Sequence, residues 1–514
     1  MPLRPFNRQQ TWLLPPTLDE LIADDHPVRF IASFVDSIDT SIWQQMSVDL
    51  NGDPLGTPAY HPRALLSVWL YGFMTGTRSS RKLESACRDQ MPYLWLTGWQ
   101  HPDHNTLWRF YKEHRAKMRH LFKLTVRTAI KIDLIDIAVQ AVDGTKVQSN
   151  AARDRTYDAK ALRELLKRVD TVILELEKQN EEGEIPPTIH LPQKLRKAQS
   201  LRAEVKAAME RLAEEDRLKR VNLTDSDAEL MKSRQGIVAG YNVQTVVSPL
   251  KATEPGKTNG MLITAVDAVQ DTDDHHQLLN MMVQAEEIVG EKADITLADA
   301  GYHSGTNLSA CEERNQRVAI PESQENRLKP AYHDKFRYDA NTDSYICPLG
   351  KTLKFIEIRT VVKKIVRVYG GLGSVCRLCS AFGVCTKNRY RGRELLIGPY
   401  ETILLEHRAW MATDEAKIAY KRRKELSEPS FGIIKEQMSF RRFLLRGLNN
   451  AKAEAIMVAT AFNMRTLYRV WRWQTSKVRR FQFSRALILC CWWSFNRFIF
   501  SALSRNSYCM VLAR

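Results

Sequence analysis

Three acidic residues are placed where they could do chemistry together. Asp143 follows the apolar run Ile137–Val142 and opens Asp-Gly-Thr-Lys, Asp299 closes Ile-Thr-Leu-Ala-Asp, and Glu428 opens Glu-Pro-Ser-Phe-Gly-Ile-Ile-Lys. Two carboxylates at strand ends and a third on a helix suit a pair of hard, oxygen-preferring divalent cations. Such ions activate water and stabilise both the entering and the leaving oxygen of a displacement at phosphorus.

Each acid also has an ordinary reading. Asp-Gly after an apolar strand is most often a turn, although Gly144 would leave the backbone open for a bulky substrate. An acid beside Pro429 reads as the first turn of a helix, complementing its dipole. Gly432 and Lys435 follow Glu428 at i+4 and i+7, on one helical face. There the glycine would admit a nucleic-acid backbone and the lysine would meet a phosphate. Glu425 is the rival third acid, Asp294 would lie at the wrong end of its strand, and His303 is near enough to Asp299 to assist. Asp225 and Asp227 read as a helix cap.

Charge favours a polyanion as partner. The 514 residues carry a formal net charge of +17, an imbalance that solvation does not require. Residues 421–480 hold fifteen Lys or Arg against four Glu, a surplus of eleven around Glu428. Arg441, Arg442 and Arg446 extend that surface beyond Lys435.

The cysteines give a second pattern. Cys376-x2-Cys379-x5-Cys385, preceded by Cys347-Pro-Leu-Gly, puts four of the nine cysteines in one segment. They could close a tetrahedral structural zinc site or be plain buried thiols. No apolar secretory stretch opens the chain and no apolar run reaches the length of a membrane span, Ala486–Leu503 being broken by Arg497. Reduced thiols, no membrane, and a cytoplasmic, nucleoid-associated location are the expectations.

Elements that could position these groups follow from periodicity. Residues 1–125 read as an all-α N-terminal domain of short capped helices, either a helix-turn-helix-like DNA reader or a plain bundle. Residues 126–300 read as the first part of a catalytic core. Its strands are expected at 135–148, 240–248, 262–269 and the run ending at Asp299, with a helix over 274–289. A charged helical hairpin is inserted at about 153–220, with arms over 159–179 and 191–220. Residues 301–410 read as a linker helix and a β-rich, cysteine-containing insertion. Residues 411–475 carry the third acid on helices, and 476–514 form an irregular tail, which fits a frameshifted or read-through end.

The strand and helix order fits a ribonuclease-H-like mixed sheet with flanking helices, an α/β fold. Glu428–Lys435, then Arg442-Phe443-Leu-Leu-Arg446-Gly447-Leu448 and Ala461-Phe462-Asn463-Met464-Arg465, resemble the carboxyl half of DDE transposases from bacterial insertion sequences. Val142-Asp143-Gly144-Thr145, Gly240-Tyr241-Asn242-Val243-Gln244 and Ala298-Asp299-Ala300-Gly301-Tyr302 are similar to that family's earlier motifs, and His61-Pro62-Arg63 to its amino-terminal domain. The family's Tyr-x2-Arg-x3-Glu-x6-Lys pattern fits Glu428 and Lys435, but Arg423 stands one residue too far back, so neither Tyr420 nor Arg423 is carried over.

What the resemblance implies is an enzyme that binds terminal inverted repeats and cleaves element ends. It would then join 3′ ends to target DNA, with magnesium, or manganese in its place, held by Asp143, Asp299 and Glu428. A homodimer is expected because two ends react together. Competing readings are a structure-selective metal-dependent nuclease and an inactive, zinc-braced DNA-binding protein.

Overall fold

The computed structural model describes residues 16–51, 58–181, 193–215, 218–233, 236–251, 260–322, 335–361 and 364–478. The irregular tail beyond 478, the arm start at Leu191, and Ala486–Leu503 lie outside them. Among the described residues, no helix is long and apolar enough to cross a membrane.

Short helices come first. Pro62–Thr75 shows how they are delimited: His61 accepts from the Arg63 N–H, Pro62 occupies the first turn, and Gly76 ends the helix at φ 81°. Leu65 to Met74 are all buried. These helices share one continuous core with Tyr241, Leu262, Ile263, Phe443 and Phe462 from the rest of the chain. Arg78 fastens them further, ion-pairing with buried Glu454 and donating to the carbonyls of Ser439 and Arg442, each at 3.0 Å.

The architecture is mixed α/β. β1 (Val139–Gln148) leads to a short pair, β2 (Thr156–Asp158) and β3 (Arg220–Asn222), at the base of two packed helices, Ala159–Glu181 and Gln193–Glu214. β4 (Glu229–Ser233), β5 (Gly236–Pro249), β6 (Met261–Val269), β7 (Ile295–Leu297) and β8 (Arg317–Ala319) complete the main sheet with β1. β5 pairs antiparallel with β1, β4 and β6, while β1, β7 and β8 run parallel. β5 is buried almost throughout: β1 flanks one edge and β4 and β6 the other, and the helices Leu278–Val289, Asp414–Gly432 and Leu448–Val478 pack against it.

The helix expected from residue 274 spans Leu278–Val289 instead. The polar run before it turns back toward the sheet and carries Asp274 with it. The long helix Leu448–Val478 packs on β6, where the amide of fully buried Asn463 accepts from the Ile263 N–H and donates to the Ile263 carbonyl, both at 2.9 Å. That bond pair satisfies a strand edge which would otherwise be left open. Asp225 and Asp227 do cap a helix, though one far along the chain, 222 and 221 residues on: they accept from the N–H groups of Gly447 and Leu448 at 3.0 and 2.8 Å.

A second sheet follows in the order β13-β12-β11-β10-β9. Its strands are β9 (Arg337–Asp339), β10 (Ser344–Ile346), β11 (Thr352–Val361), β12 (Lys364–Gly370) and β13 (Glu394–Ile397), all antiparallel. Its core is small, a cluster of Phe336, Tyr345, Leu353, Tyr369, Leu395 and Ile397.

Candidate active site

Parallel pairing places two of the acids. β1 and β7 run in register from Val139↔Ile295 to Ala141↔Leu297. Two residues further along each chain come Asp143, on β1, and Asp299, just past the end of β7. β1 outlasts β7, so Asp143 is not at a strand end; it lies mid-strand, opposite Thr245 of β5. Asp299 caps the 3-10 turn Ala300–Tyr302, its Oδ1 accepting from the Gly301 N–H at 2.8 Å.

Between the two carboxylates stands Arg423. Its Nη2 is 3.3 Å from Asp143 Oδ2 and 3.8 Å from Asp299 Oδ2. The Arg423 and Asp143 side chains are 10% and 14% exposed, Asp299 39%. Burial pushes the Asp143 carboxyl above the usual carboxylate range; the Arg423 charge opposes this and the Asp299 charge adds to it. The Gly144 N–H and the Ser427 hydroxyl also hold the charged form. Two carboxylates drawn to one cation form a cation-seeking pocket.

Arg423 comes from the helix Asp414–Gly432, started by Thr413, whose hydroxyl accepts from the Ala416 N–H. Arg423, Leu426, Ser427 and Ser430 form its buried side, with half-buried Tyr420 hydrogen-bonded to Arg423. Pro429 lies deep inside this helix, so Glu428 is not in a first turn and complements no dipole. Glu428 follows Ser427 by one residue, about 100° round the helix, and is exposed, as is Glu425. The fold therefore brings Asp143 and Asp299 together and leaves Glu428 on the flank. Among the described residues, no three His, Cys, Asp or Glu side chains are grouped to hold a metal ion.

Lys435 is not on a continuing α-helical face with Glu428. The chain widens into a π-helical turn over Ile433–Gln437, a local irregularity common at functional sites. The turn delivers Lys435 to β1, where its ammonium donates to the Thr145 hydroxyl and lies 3.5 Å from the Lys146 carbonyl. Space beside Gly432 is open. Space beside Gly144 is not: a Cβ there would stand 2.7 Å from Asp274 Oδ1 and collide with the Gln244 amide. The glycine makes room for the protein's own side chains.

Of the three arginines, Arg441 pairs with Glu436 on the surface. Arg442 donates to the Ser149 carbonyl at 3.2 Å and Asn150 Oδ1 at 2.9 Å, and Arg446 to the Asn150 carbonyl at 3.2 Å. Arg442 and Arg446 thus brace the end of β1. His303 lies against His407, the rings tilted at 44° with centres 5.9 Å apart.

In the second sheet, Cys347, Cys376, Cys379 and Cys385 line one cavity of about 330 Å³ and are free thiols. Burial raises the Cys385 thiol, Arg393 opposes this, and the three other thiols raise it further. The Lys351 N–H points at Cys347 Sγ, 3.2 Å away.

Two family models match the sequence: a transposase domain (DUF772) over residues 16–113, and a transposase DDE domain over residues 346–468. The chain is a DDE-type transposase of an insertion element. No curated protein and no solved structure matches it. The second match includes Glu428, Lys435 and the four cysteines; Asp143 and Asp299 precede it in the chain. As a transposase, the protein is an enzyme that acts on DNA.

Arg423 is the site residue that sequence spacing discards. A helical stripe does signal it: Tyr420, Arg423, Ser427, Ser430 and Ile434 recur at three or four residues. An arginine in such a stripe needs a buried anion, and Asp143 is that anion.

Proposed function

We propose that this transposase cleaves the ends of its element and joins the freed 3′ ends to target DNA at the Asp143–Asp299 pair. One observation carries the reading: two carboxylates from parallel neighbouring strands converge on a single buried cation. The strand order β6-β5-β1-β7-β8, antiparallel then parallel, supports a ribonuclease-H-like core.

Asp143 and Asp299 would hold divalent metal, and their acceptor-only chemistry fits magnesium or manganese; Glu428, exposed on the flank of the Arg423 helix, would have to turn inward to join them as a third ligand. When bound, the metal would activate the attacking oxygen and stabilise the leaving one. Arg423 occupies that position in the free protein and keeps two like charges from repelling. Ser427 and the Gly144 N–H hold the Asp143 carboxylate in its ionised, ligating form. Lys435, poised at Thr145, would take a DNA phosphate.

Terminal inverted repeats and target DNA are the proposed partners, engaged by a homodimer. Asn105, Arg109 and Lys112 form an exposed stripe on the helix His104–His114, suited to reading a groove. The thiol-lined cavity is proposed to hold structural zinc, bracing a sheet with little core of its own.

Incubation of the full chain with magnesium and DNA bearing the element's ends tests this. Cleaved ends and covalently joined donor–target product are expected. Asp143→Asn, Asp299→Asn and Glu428→Gln should each abolish both while DNA is still bound. Cleavage without any joined product would leave a nuclease, and full activity in one variant would remove that residue from the site.

A further inference from the structure

The segment between β6 and the helix Leu278–Val289 brings a fourth carboxylate close to the proposed site. Asp274 Oδ1 accepts from Lys146 Nζ at 3.1 Å, Asn242 Nδ2 at 2.6 Å and Gln244 Nε2 at 2.7 Å. Lys146 lies three residues past Asp143 on β1, while Asn242 and Gln244 are on β5 and have no exposed surface.

An ionised carboxylate only accepts hydrogen bonds. Gln244 must therefore turn its NH2 toward Asp274, which leaves its carbonyl oxygen facing the other way. There it accepts the hydroxyl of Tyr302. Tyr302 is fully buried and ends the turn that Asp299 begins. Burial, followed by the charges of Asp274, Asp143 and Asp299, holds its phenol well above the ordinary range, so it stays a donor. The space for this chain of bonds exists because residue 144 is glycine.

We propose that Asp274 is a positioning residue for the Asp143–Asp299 pair: through Gln244 and Tyr302 it fixes the turn bearing Asp299. The inference rests on the reading of that pair as the metal-holding centre. With its NH2 on Asp274 and its carbonyl on the Tyr302 hydroxyl, the amide of Gln244 is held in one orientation. Without the carboxylate, Gln244 is free to rotate and Tyr302 loses its fixed acceptor, so the turn bearing Asp299 is no longer held.

The test uses the full chain, with Mn2+ alone as the metal probe followed by electron paramagnetic resonance, and end-bearing DNA for cleavage. Groups that orient metal ligands typically change affinity or activity by roughly 10–100-fold when lost. Asp274→Ala should weaken Mn2+ binding and slow cleavage within that range, with DNA affinity unchanged. Asp274→Asn keeps an acceptor for Gln244 and should recover much of the loss, which a nonspecific folding defect would not allow. Wild-type Mn2+ affinity in Asp274→Ala would overturn the proposal. So would Asp274→Asn losing Mn2+ as completely as Asp143→Asn, since Asp274 would then be a ligand itself. A wild type that binds Mn2+ but cuts no DNA would sink the transposition reading alone; one that binds none would sink both.

Discussion

Arg423 Nη2 lies 3.3 Å from Asp143 Oδ2, although 280 residues separate them in the chain. The guanidinium closes a pocket that would otherwise hold two unopposed carboxylates. Removing one partner of a buried charged bond costs about 1–3 kcal/mol or more. Arg423→Gln should therefore lower stability in metal-free buffer and make it depend more steeply on added Mg2+, as the ion takes over the neutralising role. Thermal melting across a Mg2+ series checks this; parallel curves for both proteins would contradict it.

Asp143 gives a pH signature. Its folded-state carboxyl is raised above the usual range by burial, then moderated by Arg423. Such a group contributes stability below about pH 3.9, the unfolded value. That contribution is lost as pH rises through the folded value. Asp143→Asn cannot ionise, so without metal wild type should lose stability relative to it as pH rises from 3 to 7. Denaturant unfolding at the two pH values measures it.

The Arg78–Glu454 pair joins the first helices to the last. Their side chains are 7% and 2% exposed, and burial raises the Glu454 carboxyl despite Arg78. Breaking a buried pair costs about 3–5 kcal/mol, while replacing both partners with apolar groups of similar volume is often far milder. Arg78→Met and Glu454→Met should each be severe, and the double variant should cost much less than their sum in a double-mutant cycle.

How much of this was readable beforehand differs by element. The strands 240–248 and 262–269 were legible because alternation and β-branched residues persist along their length; they appear as Gly236–Pro249 and Met261–Val269. The local signals at Pro429 and Asp274 misled. Proline usually marks a helix start, yet the cap at Thr413 and the stripe through Arg423 carry the helix past it. Asp274 looked like a helix residue because its partners, Lys146 and Gln244, are set by strand register, which no local window contains. Asp143 and Asp299 could be singled out as candidates, but their convergence on Arg423 depends on the β1–β7 pairing.

The four thiols around one cavity give a compositional prediction. Purified protein should carry about one zinc per chain if Cys347, Cys376, Cys379 and Cys385 close one tetrahedral site. Cys376→Ser with Cys379→Ser should release it and unfold the second sheet, read by elemental analysis and limited proteolysis. Zinc-free protein with an intact second sheet would leave these as plain thiols.

The central claim is that Asp143 and Asp299 jointly hold a divalent ion in the place Arg423 now fills. Anomalous diffraction from a crystal of the full chain soaked in Mn2+ tests it most directly. The expected result is a metal peak about 2.1 Å from oxygens of both carboxylates, with the Arg423 guanidinium displaced. A Mn2+ peak bound elsewhere, with Arg423 still seated between the two acids, would contradict it.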